Sequence, residues 1–336
     1  MTINELKTEI LKPETNILLV SHKNPDGDTL GAALALYHLF SSMQINVSLL
    51  VPNGFPDFLK WMPGSNQFII AMEQEKAANK AMAEATLIFF IDFNNYERID
   101  FIAKRLEKNK SPKILIDHHP NPDDIFDFVL SDVRVSSTSE LIYTFIEQLA
   151  WLDKINKPIA ENLFTGIMTD TGCFSHNSSR PETFEVVAAL LKRNIDKNEI
   201  YDRVYNNFSE SRMRLLGYAL YEKMVVMPEY HTAYFYFSAE ELKRFNFQLG
   251  DEEGMVNYLL SVKGVQFAVI IIEKTRYVKM SFRSKGLFPA NYVAKRYFHG
   301  GGHLNAAGGK SYKSLSETIT KLQKVLKEDE AIQKYF

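Results

Sequence analysis

The feature that most constrains the fold is an alternation of short apolar runs with longer helix-compatible segments over about residues 17–132. Short buried strands separated by amphipathic segments are typical of a parallel sheet covered by helices. The predicted strands are residues 17–20, 47–51, 87–91 and 114–116. The predicted helices are residues 29–40, 73–85, 139–149 and about 159–168. The first part of the chain is therefore predicted to be an α/β domain.

The pattern changes after residue 191. Residues 195–222 are polar, charged and helix-compatible, and strands are predicted again at 232–237, 266–272 and 278–282, before a closing helix at 314–326. A chain of 336 residues has room for two domains. We predict a parallel-sheet domain at 1–194, a helical linker at 195–222 and a smaller α+β domain at 223–336.

Composition limits the functions that are open to the chain. The formal net charge is −2 with 24% charged residues, so the basic excess needed to grip long duplex nucleic acid is absent and any nucleic-acid substrate should be short. One cysteine, Cys173, rules out an intrachain disulfide and a multi-cysteine zinc site. No run of 18 apolar residues occurs, and we expect a cytoplasmic protein without membrane association.

Acidic and imidazole side chains recur where predicted strands or helices end. They follow the strand 17–20 as Ser-His-Lys-Asn-Pro-Asp-Gly-Asp, the strand 87–91 as a single aspartate, and the strand 114–116 as Asp-His-His. Open α/β sheets bind ligands at the carboxyl ends of their strands. The full set is His22, Asp26, Asp28, Asp92, Asp117, His118, His119 and, after a predicted helix, Asp170.

Each of these features has an ordinary structural explanation, as a helix cap, a hydrogen-bonded histidine pair or a turn. Their recurrence at four element ends favours a common site. Oxygen and imidazole ligands without sulfur suit Mn²⁺ or Mg²⁺, and the set exceeds what one ion needs. We predict two divalent metal ions, with Mn²⁺ preferred and Mg²⁺ or Co²⁺ as alternatives.

The separated motifs resemble those of the DHH phosphoesterases, in order and over nearly the whole chain. His22-Lys-Asn-Pro-Asp-Gly-Asp28, Asp92, Asp117-His-His119 and Asp170 match the four motifs of the catalytic domain. Gly300-Gly-Gly-His-Leu-Asn-Ala-Ala-Gly-Gly309 is similar to the glycine-rich motif of the DHH-associated domain. Length and the first motif most resemble the branch of bifunctional oligoribonucleases and nucleotide phosphatases, the nanoRNases.

The resemblance implies a division of the site residues. The first metal would take His22, Asp26 and Asp92, and the second Asp28, Asp92, His118 and Asp170. Catalysis would depend on Asp92, His118 and His119, with His119 contacting a phosphoryl oxygen and Asp117 orienting an imidazole.

The second domain carries candidate substrate-binding residues. Gly301, Gly302 and His303 can present backbone N–H groups and an imidazole to a phosphate, and Arg283 can supply a bidentate guanidinium. Glycine runs are more often turns, and Arg283 could be an ordinary surface residue. The resemblance favours binding for both Arg283 and His303.

The predicted function is two-metal hydrolysis of short oligoribonucleotides to mononucleotides, with 3′-phosphoadenosine 5′-phosphate as a second substrate. The alternatives are an inorganic pyrophosphatase or exopolyphosphatase, a linear or cyclic dinucleotide phosphodiesterase, and a nucleotide-binding module without activity. Every expected ligand is present, which disfavours the last. The sequence leaves the oligomeric state open, a homodimer included.

Overall fold

The computed structural model describes residues 1–248 and 250–336. They form two compact units, Met1–Asn207 and Phe208–Phe336. Within the described residues, no helix has the length and apolar character needed to cross a bilayer.

The N-terminal unit is built on a parallel sheet of six strands. The strands are β1 (Asn16–Ser21), β2 (Asn46–Val51), β3 (Phe68–Ile70), β4 (Leu87–Ile91), β5 (Lys113–Asp117) and β6 (Phe128–Ser131). Their order across the sheet is β3-β2-β1-β4-β5-β6, and every pairing is parallel. The chain therefore winds outward from β1 in one direction and from β4 in the other, which places the switch point of the fold between β1 and β4.

Helices cover both faces of this sheet. They are α1 (Ile3–Ile10), α2 (Gly27–Ser42), α3 (Glu75–Glu84), α4 (Ala103–Lys108), α5 (Thr138–Gln148), α6 (Lys157–Asp170), α7 (Pro181–Leu191) and α8 (Lys197–Tyr205). Alternate strand residues pack on opposite sides: Leu19 and Phe89 join the core beneath α2, α5 and α6, whereas Leu18 and Phe90 join the core beneath α3 and α4. Because both faces are buried, these strands are continuous apolar runs, as predicted.

Helices α2 and α6 pack closely, and this packing positions the polar residues at their ends. At Gly166 in α6, an added Cβ would lie 1.9 Å from Ser139 Oγ and 3.0 Å from Asp28 Oδ1. Only glycine allows this approach. The C-terminal end of α6, with Asp170, thereby reaches the residues that follow the strands.

The C-terminal unit contains a mixed sheet of six strands. The strands are β7 (Val225–Met227), β8 (Thr232–Phe237), β9 (Phe267–Glu273), β10 (Val278–Ser284), β11 (Gly301–His303) and β12 (Ala306–Ser311). Their order is β11-β12-β10-β9-β8-β7, with only β8 and β9 parallel. The helices are α9 (Glu210–Tyr218), α10 (Ala239–Arg244), α11 (Met255–Leu260), α12 (Ala290–Tyr297), α13 (Leu315–Glu328) and α14 (Glu330–Gln333).

The boundary between the two units falls inside the segment 195–222 for which we predicted a helical linker. Its first half forms α8, whose Ile200 and Val204 belong to the N-terminal core. Its second half forms α9 and a π-helical turn, and Leu215 and Leu216 belong to the C-terminal core. The polar composition of this segment thus reflects two amphipathic surface helices, one on each unit.

The glycine-rich segment forms a β-hairpin, where the sequence suggested an anion-binding turn. Strand β11 pairs with β12, with His303 opposite Ala306. Gly302 has φ +140°, and an added Cβ would lie 2.4 Å from the Ala306 carbonyl oxygen. The hairpin therefore requires glycine for close backbone contact.

Candidate metal centre

The predicted ligands gather at the carboxyl ends of the three central strands. His22 follows β1, Asp92 follows β4, and His118 follows β5. Asp28 lies in the first turn of α2, and Asp170 is the last residue of α6. Asp92 leaves its strand in the left-handed region, with φ 65°, a conformation that aspartate tolerates at a local energetic cost. The topology alone brings these residues to the switch point.

The first group consists of His22, Asp26 and Asp92. One nitrogen or oxygen atom from each residue lies within 4.8 Å of the other two, and His22 Nε2 is 3.4 Å from Asp92 Oδ2. His22 Nδ1 lies 2.8 Å from the Lys23 carbonyl oxygen. Because a carbonyl only accepts, Nδ1 carries a proton, and Nε2 is the ring nitrogen that faces the carboxylates. Asp26 also caps α2 through Oδ1, so its predicted cap role and its place in the group coexist.

The second group consists of Asp28, Asp92 and His118, again with ligand atoms within 4.8 Å. His118 Nε2 is 3.7 Å from Asp92 Oδ1 and 3.6 Å from Asp170 Oδ2. Asp92 belongs to both groups. Asp170 approaches this group through His118, and Asp92 also lies within 4.8 Å of ligand atoms of Asp117 and His119. The division of these residues between two metals stays a prediction.

The residues around the Asp-His-His motif hold its second histidine. Asp117 is fully buried, and its Oδ1 lies 2.7 Å from His119 Nδ1. Burial lowers the pKa of His119, but the hydrogen bond and charge of Asp117, with the charge of Asp92, raise this pKa to about 9. Asn94 donates to the carbonyl oxygens of His119 and Pro120 at 3.3 and 3.1 Å, which fixes the loop. The imidazole that Asp117 orients is therefore that of His119.

The pKa values of two central carboxyl groups, Asp28 and Asp92, are shifted in opposite directions. Burial raises the pKa of Asp28 well above its usual range, and the charges of Asp92 and Asp170 raise it further. Burial acts the same way on Asp92, but the hydrogen bond from His22 and the neighbouring imidazoles hold its pKa well below the usual range. Without an added cation, the protein therefore accommodates only part of the negative charge that these side chains can carry.

The donor set fits a divalent cation. Within the described part of the chain, neither Asp28 nor Asp92 forms an ion pair with lysine or arginine. Asp117 Oδ2 is buried and finds no hydrogen-bond partner among those residues. Both Asp28 oxygens accept backbone N–H groups, from Thr138 at 2.7 Å and Ser139 at 2.8 Å, so two helix-terminal amides fix the orientation of this carboxyl group. Buried anionic oxygens and imidazoles with this arrangement are the ligands that Mn²⁺ and Mg²⁺ accept.

Sequence reasoning missed a set of hydroxyl groups at this site. Thr29 and Thr138, both fully buried, donate to the Asp92 carboxylate at 2.5 and 2.8 Å. By sequence alone, the hydroxyl run Ser136-Ser137-Thr138 suits a helix N-cap ahead of α5. Only Ser137 caps α5, through Glu140 N. Four successive hydroxyl residues, 136–139, exceed what one cap needs, and that excess was the available signal.

Three of the four predicted binding residues of the C-terminal unit, Arg283, His303 and Gly301, lie on one face of its sheet, and Gly302 lies on the opposite face. Arg283 pairs with Ala306 on β12, and Ala306 pairs with His303 on β11. Directly paired residues point to the same face, so Arg283 and His303 flank Ala306 about 10 Å apart. Gly301 lies on the same face one pair further on, and a Cβ added to it would meet nothing within 4 Å. The face is therefore shallow and bare beside a guanidinium and an imidazole.

Comparison with known proteins identifies both units. Residues 16–167 match the model of the DHH family, N-terminal domain, and residues 232–331 match the DHHA1 domain. The chain belongs to the DHH family. The crystal structure of an exopolyphosphatase-related protein from Bacteroides fragilis is 40% identical, with a TM-score of 0.94 over 99% of this chain and 97% of that one.

Two further proteins extend the comparison. The bifunctional oligoribonuclease and PAP phosphatase NrnA of Bacillus subtilis is 25% identical over 333 residues, which cover 97% of this chain and all of the relative. RecJ of Thermus thermophilus, in complex with Mn²⁺, is 14% identical with a TM-score of 0.58 over 99% of this chain and 54% of that one, which shows a shared fold.

Proposed function

We propose that this DHH protein is a manganese-dependent phosphoesterase that degrades short oligoribonucleotides to mononucleotides and removes the 3′-phosphate of 3′-phosphoadenosine 5′-phosphate. The observation that carries the proposal is the pair of carboxylate and imidazole groups that share Asp92 at the switch point of the sheet. The name of the Bacillus subtilis relative, matched over its whole length, supports the substrate class.

The proposed ligands of one ion are His22, Asp26 and Asp92, and those of the other are Asp28, Asp92, His118 and Asp170. Two such ions activate water near neutral pH and stabilise the attacking and leaving oxygens of a phosphoester.

The remaining catalytic work belongs to the protein itself. Asp117 orients His119 and stabilises positive charge on its imidazole. His119 can then donate a hydrogen bond to a phosphoryl oxygen and offset the negative charge that develops there. Asn94 keeps the His119 backbone in place through its carbonyl oxygen.

The C-terminal unit is proposed to hold a second part of the substrate. Arg283 and His303, on either side of Ala306, supply a guanidinium and an imidazole to one phosphate, and the bare backbone at Gly301 lets the phosphate approach. A face that holds a single phosphate favours short substrates, because nucleotides beyond that phosphate add little binding energy.

The test is product analysis with purified protein and Mn²⁺. The substrates are 5′-labelled oligoribonucleotides of two to about 24 residues, which extend from dinucleotides to lengths beyond a typical single-strand binding site. 3′-Phosphoadenosine 5′-phosphate, a cyclic dinucleotide, pyrophosphate and polyphosphate complete the panel. We expect rapid conversion of the shortest RNAs, no conversion in EDTA, and loss of the length preference in Arg283→Ala. Absence of turnover on every substrate would point to a nucleotide-binding module.

A second candidate is an exopolyphosphatase. It is favoured by the 40% identical relative, which is described as exopolyphosphatase-related. Two metal ions held by the same ligands can promote hydrolysis of a phosphoanhydride, and Arg283 and His303 together can bind a phosphate chain. Release of phosphate from polyphosphate, with no mononucleotide from RNA, would establish this candidate.

A further inference from the structure

Two buried threonine hydroxyls contact the carboxylate that the two proposed metal groups share. Thr29, in the first turn of α2, donates from Oγ1 to Asp92 Oδ2 at 2.5 Å. Thr138, the first residue of α5, donates from Oγ1 to Asp92 Oδ1 at 2.8 Å. Both threonines are fully buried, so bulk water does not compete for these bonds. Each oxygen of the shared carboxylate is therefore held by a separate helix.

The two oxygens also face different groups. Asp92 Oδ2, the acceptor of Thr29, lies 3.4 Å from His22 Nε2 in the first group. Asp92 Oδ1, the acceptor of Thr138, lies 3.7 Å from His118 Nε2 in the second. The division between the hydroxyls thus follows the division between the groups.

Thr29 has further contacts within the first group. Its Oγ1 lies 2.6 Å from His22 Nε2 and 3.1 Å from Asp26 Oδ1, in addition to its bond with Asp92. One hydroxyl therefore touches all three members of the first group. Thr138 contributes differently, because its backbone N–H also binds Asp28 Oδ2 at 2.7 Å in the second group.

We propose that Thr29 and Thr138 are positioning residues that fix the plane of the Asp92 carboxylate, with one oxygen toward each group of proposed ligands, and that each threonine sets the metal affinity of its own group. The inference rests on the two-metal function proposed above. An ionised carboxylate oxygen has enough lone pairs to accept a hydrogen bond from a hydroxyl group and to bind a cation at the same time. The terminal torsion of aspartate is soft, whereas a buried β-branched threonine is stiff, so the hydroxyls supply the orientation that Asp92 lacks.

The experiment is titration of the metal-free protein with MnCl₂, followed by calorimetry and by electron paramagnetic resonance. Thr29→Val and Thr138→Val remove a hydroxyl and keep the shape, and Thr138→Val keeps the backbone N–H that binds Asp28. We expect each variant to weaken one of two Mn²⁺ binding steps by about 10- to 100-fold. We also expect a changed magnetic coupling between the ions, and recovery in Thr29→Ser and Thr138→Ser.

The control is Thr318→Val in the C-terminal unit. Thr318 is also fully buried, and its hydroxyl donates to Ser311 Oγ at 2.8 Å, so the variant loses the same kind of bond without touching the metal groups. We expect its Mn²⁺ titration to match that of the wild type. If a valine variant does not fold by circular dichroism, the smaller alanine variant replaces it under the same criteria.

The outcomes separate this inference from the proposed function. A wild-type protein that binds no Mn²⁺ contradicts the two-metal function. A wild-type protein that binds two ions, with both folded threonine variants unchanged in affinity and coupling, overturns the positioning role alone. Weakening of both steps to the same extent in Thr318→Val would also overturn it.

Discussion

The two units treat buried carboxylates in different ways. In the C-terminal unit, Glu252 is buried and its Oε1 pairs with Lys279 Nζ at 2.7 Å. Burial raises the pKa of Glu252, but the charge and hydrogen bond of Lys279 outweigh this and leave the pKa below its usual value. In the N-terminal unit, Asp28 and Asp92 are more deeply buried and, among the described residues, have no lysine or arginine partner.

This difference shows how a functional site can be separated from a structural ion pair. A structural pair supplies its own counter-charge, so its net effect on stability is small. The described partners of Asp28 and Asp92 in the N-terminal unit are imidazoles, hydroxyls and backbone N–H groups. These partners orient the carboxylate oxygens but leave part of their negative charge unbalanced. The charge balance itself indicates that a cation from solution completes the site.

The largest expected effect comes from the shared carboxylate. Asp92→Asn keeps the shape and removes the charge that both groups use. We expect Mn²⁺ binding to fall in both steps and turnover of dinucleotides to fall by about 10³-fold or more, as for other groups that act at a reacting centre. Asp57→Asn is the matched control, because the Asp57 side chain is 90% exposed. Retention of both ions in Asp92→Asn would contradict a shared ligand.

The central strands and the acidic and imidazole side chains at their ends were predictable from the sequence. Strand β4 matches its predicted range of 87–91, and His22, Asp92 and His118 stand at strand ends as expected. Their identification required only an apolar run followed by an acid or imidazole. This is a local pattern that burial on both sheet faces makes strong.

The remainder depends on tertiary pairing. The strands without a prediction include the edge strands β3, β6, β7 and β11, which are short and pair on one side. Glycine in β11 lowers β-propensity further, so the pairing with β12 had no local signal. Thr29 and Thr138 contact Asp92 because α2 and α5 begin at the same end of the sheet. The spacing of these residues along the sequence does not predict that contact.

Metal removal should act on one unit only. At Mn²⁺ concentrations 100 to 1,000 times the dissociation constant, each bound ion stabilises the folded state by about 2.7 to 4.1 kcal/mol. We expect hydrogen exchange to slow at the amides of β1, β4 and β5 when Mn²⁺ is added to metal-free protein. Strands β9 and β10, whose unit supplies its own counter-charge, serve as the internal reference. If Mn²⁺ slowed hydrogen exchange equally in β9 and β10, a difference in charge balance would not explain the contrast between the two units.

The C-terminal pair offers the opposite test. Lys279→Met leaves a buried carboxylate unpaired, and we expect a loss of about 2 to 3 kcal/mol in the free energy of unfolding at pH 7. The loss is at the lower end because 39% of the Lys279 side chain is exposed and Lys274 also lowers the pKa of Glu252. Urea unfolding measures this loss.

The pH dependence of the free energy of unfolding tests whether the pair of Glu252 and Lys279 stabilises the C-terminal unit. Because the folded-state pKa of Glu252 is depressed, the stability from the pair is present above the unfolded pKa of about 4.3 and is lost as the pH falls through the lower folded value. In Lys279→Met, burial without the lysine raises the pKa of Glu252, so the variant regains stability as this carboxylate takes up a proton, and its difference from wild type should shrink as the pH falls from 7 toward 4. The double variant Glu252→Gln with Lys279→Met is expected to recover most of the stability, and Mn²⁺ should affect none of these values.

The smallest effect separates binding from folding within the glycine hairpin. An added methyl group on Gly301 meets nothing within 4 Å, whereas the same change at Gly302 forces a Cβ to 2.4 Å from the Ala306 carbonyl oxygen. Gly301→Ala should therefore keep the melting temperature and raise KM for dinucleotides on the order of tenfold, about 1.4 kcal/mol, with kcat retained. Gly302→Ala should instead lower the melting temperature. If Gly301→Ala leaves KM unchanged, the bare face beside Arg283 does not receive substrate, and the hairpin glycines serve strand packing alone.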